Sequence, residues 1–196
     1  MTGMLHPWRI VVLALTTALA ACTPPAPVLY SIAPVQGAAH SGGPKVILVQ
    51  QIGLARYLER SQIVRSSENY RLDVMSNDWW GEPLGAMLSR VLVEELSQRL
   101  PQSVVLSENG AASSPADATI ELNLRRLDED ATGSVVLQAQ AAVSFKGRPT
   151  PVLQSFRLVA APQGTGVPYE VAAISVALGQ VADGLASTLA AGPPAR

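Results

Sequence analysis

The sequence contains few of the side chains that enzymes use for nucleophilic or acid–base catalysis. It has 1 cysteine and 2 histidines in 196 residues. His6 lies in the N-terminal segment and His40 in a stretch rich in proline and glycine. A serine hydrolase of the common kind needs a positioned histidine, and a thiol enzyme needs a free cysteine. We therefore predict that the protein is not an enzyme, with a hydrolase built on an acid pair as a remote alternative.

Basic runs and phosphate-binding loops are also missing. The 14 lysines and arginines are scattered, and the formal net charge is −1, so no basic stripe is available to neutralise nucleic-acid phosphates. The glycines at 42–43 lack the lysine and the following helix of a phosphate loop. Asp128, Glu129 and Asp130 are interpreted as a solvated turn rather than a cation site. The sequence predicts no nucleic-acid partner, no metal and no cofactor.

No run at the N-terminus is long enough to span a membrane. The apolar run from Ile10 to Ala21 has 12 residues, whereas a spanning helix needs about 20 and a secretory signal core about 7 to 15. It ends in Leu-Ala-Ala-Cys, which resembles the bacterial lipobox. That resemblance implies a lipoprotein signal peptide over residues 1–21 and acylation of Cys22. An ordinary signal peptide with a stray cysteine and a short buried helix are the alternatives.

The residues after Cys22 indicate where the lipid anchor is placed. Thr23 stands where an aspartate would, by resemblance to lipoprotein sorting in enteric bacteria, retain the protein in the inner membrane. The resemblance therefore implies the periplasmic face of the outer membrane of a Gram-negative bacterium. Residues 22–45 are rich in proline and glycine, which predicts a semi-extended leash with a possible first strand at 28–32.

The rest of the chain predicts one α+β domain over residues 46–190, followed by a tail at 191–196. Apolar residues recur at helical spacing from Leu84 to Arg99 and from Pro168 to Ala190. Strands are predicted at 46–52, 70–75, 103–106, 119–127, 134–145 and 152–159, with a turn at 76–78 and a loop at 53–62. We expect a mixed, mostly antiparallel sheet with two long amphipathic helices packed on one face.

Two further segments carry a resemblance to a known family. They are RYLERSQIV from Arg56 and NDWWGEPL from Asn77. They look like the "YLDR…IV" and "W-A-E-P-L" signatures of the PqiC-like lipoproteins, the ABC-type transport auxiliary lipoprotein family. Glu59 stands where aspartate is usual, and Gly81 where alanine is usual. The candidate partner-binding residues are Tyr57, Leu58, Glu59, Arg60, Trp79, Trp80, Glu82, Pro83 and Leu84.

The resemblance implies a non-catalytic component of a lipid-trafficking system. Such a component joins an MCE-domain protein or ABC transporter subunits to the outer membrane, and it can self-associate. A periplasmic lipoprotein that holds a lipid or another apolar ligand between sheet and helices is the alternative. Trp79 and Trp80 have a second interpretation as core side chains at the start of the helix, and Arg56, Glu59 and Arg60 as a surface ion pair. The small residues of the second helix favour close packing against another protein.

Overall fold

The computed structural model describes residues 25–110 and 115–193. The predicted signal peptide, Cys22 and the last residues of the predicted tail lie outside the described residues.

The described chain contains nine strands, two α-helices and one 3-10 turn. The strands are β1 (Val28–Tyr30), β2 (Val46–Val49), β3 (Gly53–Leu54), β4 (Gln62–Ser66), β5 (Asp73–Trp80), β6 (Val104–Ser107), β7 (Ala118–Glu129), β8 (Val135–Phe145) and β9 (Val152–Ala160). Helix α1 spans Leu84–Arg99, helix α2 spans Val167–Ala191, and the 3-10 turn spans Arg56–Leu58. Both predicted helices are present, because an apolar stripe at helical spacing is a strong signal over this length.

The strands form one mixed sheet around β7. Along one edge β7 pairs antiparallel with β8, which pairs antiparallel with β9. Its other edge is shared by β2, β3 and β4, each parallel to it. Strand β6 extends the sheet beyond β2, and β5 and then β1 extend it beyond β4. The α+β class is confirmed, and the longest ladders are antiparallel.

Both helices lie on one face of the sheet. The odd-numbered residues of β8 from Val135 to Phe145 are buried in the core, whereas Gln140 points to the opposite, exposed face. Helix α2 contacts β7, β8 and β9, and α1 contacts α2 and β6. The core therefore fills the space between this face and the two helices, as predicted.

Three local predictions are wrong. The strand predicted at 70–75 begins only at Asp73, because the residues before it form the turn between β4 and β5. The other two predicted a turn and a loop where the chain forms strands. The turn predicted at 76–78 is part of β5, because Asp78 pairs with β1, and Val74 and Trp79 on either side of the segment pair with β4. The loop predicted at 53–62 contains β3, the 3-10 turn and the start of β4. In both places long-range pairing outweighs the local preference of polar and small residues for turns.

Helix α2 is long and apolar enough to cross a bilayer by length and composition, with a hydropathy of 1.3 in its most apolar window. Its apolar side is nevertheless inside the domain, where Leu178, Val181 and Leu185 are fully buried. Its glycines also contact the rest of the chain: a Cβ at Gly184 would lie 2.7 Å from the Phe156 ring. These small residues therefore serve close packing within the domain.

The segment predicted as a leash packs, in its described part, along α1 and α2. The amide of Ile32 donates to Sδ of Met87 (3.1 Å), and the amide of Ala33 donates to Oγ of Ser175 (3.3 Å). Farther along, the amide of His40 donates to the carbonyl of Arg99 (2.7 Å). Proline and glycine exclude regular structure, but they do not prevent an extended chain from packing in a groove between helices.

The buried side chain of Arg99 joins this segment to both helices. Only 1% of the residue is exposed. Its guanidinium donates to the carbonyls of Val35 (3.1 Å) and Gly179 (3.1 Å) and to Oδ1 of Asp183 (2.6 Å). A Cβ at Gly37 would lie 2.3 Å from the guanidinium, so the close approach of the segment requires glycine there.

Two buried glutamates carry carboxyls with few partners. Glu95 accepts a hydrogen bond from the amide of Val35 (2.9 Å) through Oε1, whereas Oε2 has no partner. Glu170, in the first turn of α2, is 1% exposed, and neither carboxyl oxygen has a partner. Burial raises the pKa of Glu95 to about 7 and that of Glu170 to about 8.

We predict that Arg99→Ala lowers the free energy of unfolding by about 3 to 5 kcal/mol, because it removes a buried cation and leaves buried carbonyls unpaired. Urea denaturation followed by tryptophan fluorescence measures the loss. Arg90→Ala is the matched control on the same helix: Arg90 pairs with Glu82 at the surface (2.5 Å), with side-chain exposures of 51% and 38%. That change should cost about 0.5 kcal/mol, and equal losses in the two variants would contradict the role of Arg99.

The two glutamates predict a stability that falls as the pH rises. Their folded-state pKa values lie above the ordinary value of 4.5, so the folded protein retains protons that the unfolded chain releases. This stabilisation is complete below about pH 4.5 and is lost as the pH rises through 7 to 8. The wild type should lose more of its free energy of unfolding between pH 5 and pH 8 than the Glu170→Gln variant, by about 2 kcal/mol. The exposed Glu121→Gln variant on β7 should keep the wild-type slope, and an unchanged slope in Glu170→Gln would refute the prediction.

Candidate functional site

A surface groove lies where β5 ends and α1 begins. It has a volume of about 640 Å³ and is lined by residues 51–54, 59–61 and 80–86. These three stretches come from the β3 region, from the connection between the 3-10 turn and β4, and from the β5–α1 junction. The groove therefore brings together the two segments that carry the family resemblance.

Backbone hydrogen bonds fix the wall at the end of β5. The amide of Trp80 donates to the carbonyl of Ser61 (2.7 Å), and the amide of Gly81 donates to the carbonyl of Tyr30 (2.8 Å). The β1, β4 and β5 strands thus hold this junction from both sides. The indole of Trp80 packs into the core, with 7% of the residue exposed.

The opposite wall is the first turn of α1. Pro83 precedes the helix, and its carbonyl accepts from the amides of Ala86 (3.0 Å) and Met87 (3.1 Å). The N–H groups of Leu84 and Gly85 have no intrahelical acceptor, as at any helix start. They give this end of the groove a partial positive charge.

Segment 52–54 is held tightly against this first turn. The amide of Ile52 donates to Oγ of Ser89 (3.1 Å), and that hydroxyl donates to the carbonyl of Gly85 (2.9 Å). A Cβ at Gly85 would lie 3.3 Å from the carbonyl oxygen of Ile52, so the close approach leaves little room for a larger residue.

Charged side chains lie around the groove. Glu59 and Arg60 are exposed, and Nε of Arg60 donates to the carbonyl of Tyr57 (3.1 Å). Glu82 pairs with Arg90 on the next turns of α1. The groove thus combines an apolar floor, formed by Ile52 and Leu84, with ionisable groups of both signs.

With this geometry established, the relatives of the chain can be compared. Residues 28–186 match the model of a family described as the ABC-type transport auxiliary lipoprotein component. The chain belongs to this family. It is 27% identical over 109 residues to the intermembrane transport lipoprotein PqiC of Escherichia coli (strain K12), and it has the same identity to the protein of that name from Shigella flexneri. Each match covers 55% of this chain and 56% of the relative.

Solved structures share the fold of this auxiliary lipoprotein. A crystal structure of an uncharacterized protein has a TM-score of 0.69 at 20% identity and covers 83% of this chain and 98% of its own. Protein XCC0632 from Xanthomonas campestris has a TM-score of 0.65 at 18% identity and covers 81% of this chain and 92% of its own. At these identities the likeness concerns the fold alone.

Six of the nine candidate residues of this auxiliary lipoprotein line the groove. They are Glu59, Arg60, Trp80, Glu82, Pro83 and Leu84. Leu58 is instead a core residue, 3% exposed. Trp79 is half-buried on β5, and its indole N–H donates to the carbonyl of Ser76 (3.2 Å). The structure thus separates the two adjacent tryptophans, of which Trp80 alone borders the groove.

Tyr57 belongs to a different cluster. Its hydroxyl donates to Oδ2 of Asp128 (2.8 Å), and Nε of Arg126 donates to Oδ1 of the same carboxylate (2.8 Å). Burial and this hydrogen bond raise the pKa of Tyr57 above its usual range. Asp128 is fully buried, so interpreting the whole acidic run as a solvated turn is wrong for this residue.

The interpretation as a turn fits Asp130. Its Oδ1 accepts from the amide (2.8 Å) and the hydroxyl (2.6 Å) of Thr132, which lowers the pKa of that carboxyl. Within residues 25–110 and 115–193, no group of three or more histidine, cysteine, aspartate or glutamate side chains is arranged to hold a metal ion.

Sequence reasoning missed one wall of the groove and part of another. Gln51 falls in the strand predicted at 46–52, Gly53 and Leu54 fall in the segment predicted as a loop, and Gly85 and Ala86 follow directly after the second motif. The only available signal was their closeness in sequence to the two motifs. Their place in the groove depends on the pairing of β3 with β7, which the sequence does not reveal.

Proposed function

We propose that this chain is a lipid-anchored docking subunit of an envelope lipid-transport system. In this proposal Cys22 carries the lipid and attaches the chain to the periplasmic face of the outer membrane. The groove binds a segment of an MCE-domain protein or of an ABC transporter subunit. The observation that carries the proposal is that two family motifs, separated in sequence, line one exposed groove.

The shape of the groove suits a short stretch of a partner chain. Its volume of about 640 Å³ accommodates a few side chains rather than a whole domain. The buried side chains of Leu84 and Trp80 form an apolar floor with little exposed area, and Arg60 offers an exposed donor at the rim. An apolar anchor surrounded by polar groups is the usual composition of a protein-binding hot spot.

The groove favours binding over catalysis. Of its two acids, Glu59 is exposed to solvent and Glu82 forms a surface ion pair with Arg90. Neither is held beside a nucleophile that it could activate. The proposal therefore includes a non-catalytic role.

The alternative, an apolar ligand held between sheet and helices, has less support. That space is occupied by core side chains such as Leu92, Leu137 and Leu178, all fully buried. A second cavity of about 480 Å³ lies on the open face of the sheet, where glutamines such as Gln50 and Gln140 alternate with Leu122 and Leu153. This mixed and solvent-open lining differs from the enclosed, mainly apolar pocket that holds an acyl chain.

Self-association stays part of the proposal. Among the described strands, β9 pairs with β8 alone, so its outer edge can accept a strand from another chain. Leu153 and Val159 on this strand are 75% and 56% exposed. Such a combination of a free edge and apolar side chains is typical of edges that pair with a further strand.

The first prediction concerns the anchor. Cys22→Ser should leave the protein without lipid, because serine has no thiol to acylate, and it should leave the signal peptide uncut, because a lipoprotein signal is removed next to the modified cysteine. Metabolic labelling with a fatty acid and the mass of the recovered chain measure both effects. Thr23→Ala, at the neighbouring position, is the control and should keep the label. A Cys22→Ser protein that still incorporates fatty acid would contradict the assignment of Cys22.

The second prediction concerns the groove. Ala86 is exposed on the first turn of α1 and lines the groove, so Ala86→Trp should fill it without disturbing the core. A photoreactive residue at position 59, on the rim, should crosslink an MCE-domain or ABC transporter subunit in envelope membranes. Ala86→Trp should reduce that crosslink about tenfold or more, as expected when a hot-spot contact is lost.

Ser97→Trp is the matched control, since Ser97 is exposed on the same helix but outside the groove. It should crosslink at the wild-type level. Both variants are first compared with the wild type by circular dichroism and urea denaturation. A folded Ala86→Trp protein with undiminished crosslinking would eliminate the groove as the docking site, and a wild type that captures no transport subunit would contradict the function itself.

A further inference from the structure

The distance between the lipid anchor and the folded domain is short, and this inference rests on the proposed role of Cys22. Only five residues lie between Cys22 and Val28, the first residue of β1. A fully extended chain covers at most about 3.3 to 3.6 Å per residue step, so the six steps keep Cys22 within about 22 Å of the start of β1. The lipid therefore holds this end of the domain close to the bilayer.

The direction of the strands identifies what else lies at this end. Strand β1 runs parallel to β5, with Val28 beside Asp78. Strand β5 begins at Asp73, and residues 67–72 form the turn of the β4–β5 hairpin. Asp73 lies five residue steps before Asp78 along the strand, a distance of about 17 Å. The hairpin tip and the residues between Cys22 and Val28 therefore extend beyond Val28 toward the same end of the sheet, and by comparable lengths.

The tip of the hairpin carries side chains that suit a membrane interface. Tyr70 is fully exposed and Leu72 is 40% exposed, with the exposed Arg71 between them. Asn69 and Tyr70 have φ angles of 55° and 61°, in the left-handed region that residues other than glycine rarely adopt. The backbone is therefore strained at Tyr70, and the side chain of this residue lies exposed on the surface of the domain.

We propose that residues 69–72 insert into the headgroup region of the same bilayer leaflet that holds the Cys22 lipid. A tyrosine ring with its hydroxyl prefers this depth, and an arginine beside it can bind lipid phosphates.

This contact orients the docking groove. Strand β5 runs from the hairpin at Asp73 to the groove at Trp80, a length of about 24 Å for its 8 residues. With the hairpin tip in the bilayer, the groove faces away from the membrane and toward the periplasm. A partner that approaches from the inner membrane would therefore meet an open groove.

The test uses the full-length lipidated protein in vesicles of phosphatidylethanolamine and phosphatidylglycerol. Because Cys22 is the only cysteine, single substitutions Leu72→Cys, Glu59→Cys and Leu153→Cys each accept one environment-sensitive fluorophore. A lipid with a nitroxide on its headgroup should quench the fluorophore at position 72 several-fold more than those at position 59, on the groove, and position 153, on β9. Equal quenching at all three positions would overturn the proposal.

A second variant separates insertion from simple tethering. Replacing Tyr70 and Leu72 by serine in the Glu59→Cys protein should keep it on the vesicles but increase quenching at position 59, because the domain loses its orientation. Unchanged quenching at position 59 would refute the orienting role of the hairpin. A chain that does not cofractionate with vesicles would contradict the anchor itself, which distinguishes failure of the proposed function from failure of this inference.

Discussion

The fold depends most on the buried guanidinium of Arg99. It binds the carbonyl of Val35 in the N-terminal segment and that of Gly179 in α2, and it extends from α1 itself. A cation in this position is costly to bury, so each donor must find an acceptor. The side chain of Arg99 therefore joins all three elements, the N-terminal segment, α1 and α2, at one buried point. Because the segment is fixed, the strand that precedes it is held at the edge of the sheet.

That strand connects the anchor with the candidate docking site. Strand β1 pairs with β5, and the carbonyl of Tyr30 at its end accepts from the amide of Gly81 on the groove wall. The same short strand begins near Cys22, the residue proposed to carry the lipid. One parallel pair of strands thus joins the proposed membrane end of this chain to its proposed partner end. The distance between the ends is set by the length of β5 rather than by a flexible linker.

The parts of the fold that could be predicted are those with a strong local period. The stripes of apolar residues located both helices, and alternation located β7, β8 and β9. The short strands β3 and β4 were missed, because they are held by pairing with β7 and with β5 rather than by their own sequence. Similarly, the polar run at 76–78 has the composition of a turn, but it lies in a strand because β5 pairs with β1 and with β4. The two motifs located the groove residues at 59–61 and 80–84, whereas the wall at 51–54 was not predicted.

The sequence by itself determined the family and located the two motif segments that reach the groove. Only the tertiary structure decided which side chains of those segments face solvent. Glu59 and Arg60 reach the groove, whereas the adjacent Leu58 enters the core and Tyr57 binds Asp128. The physical reason is that side-chain direction in a short irregular segment has no period of its own. It follows from the strands that pair with the segment, and these pairings join residues far apart in the chain.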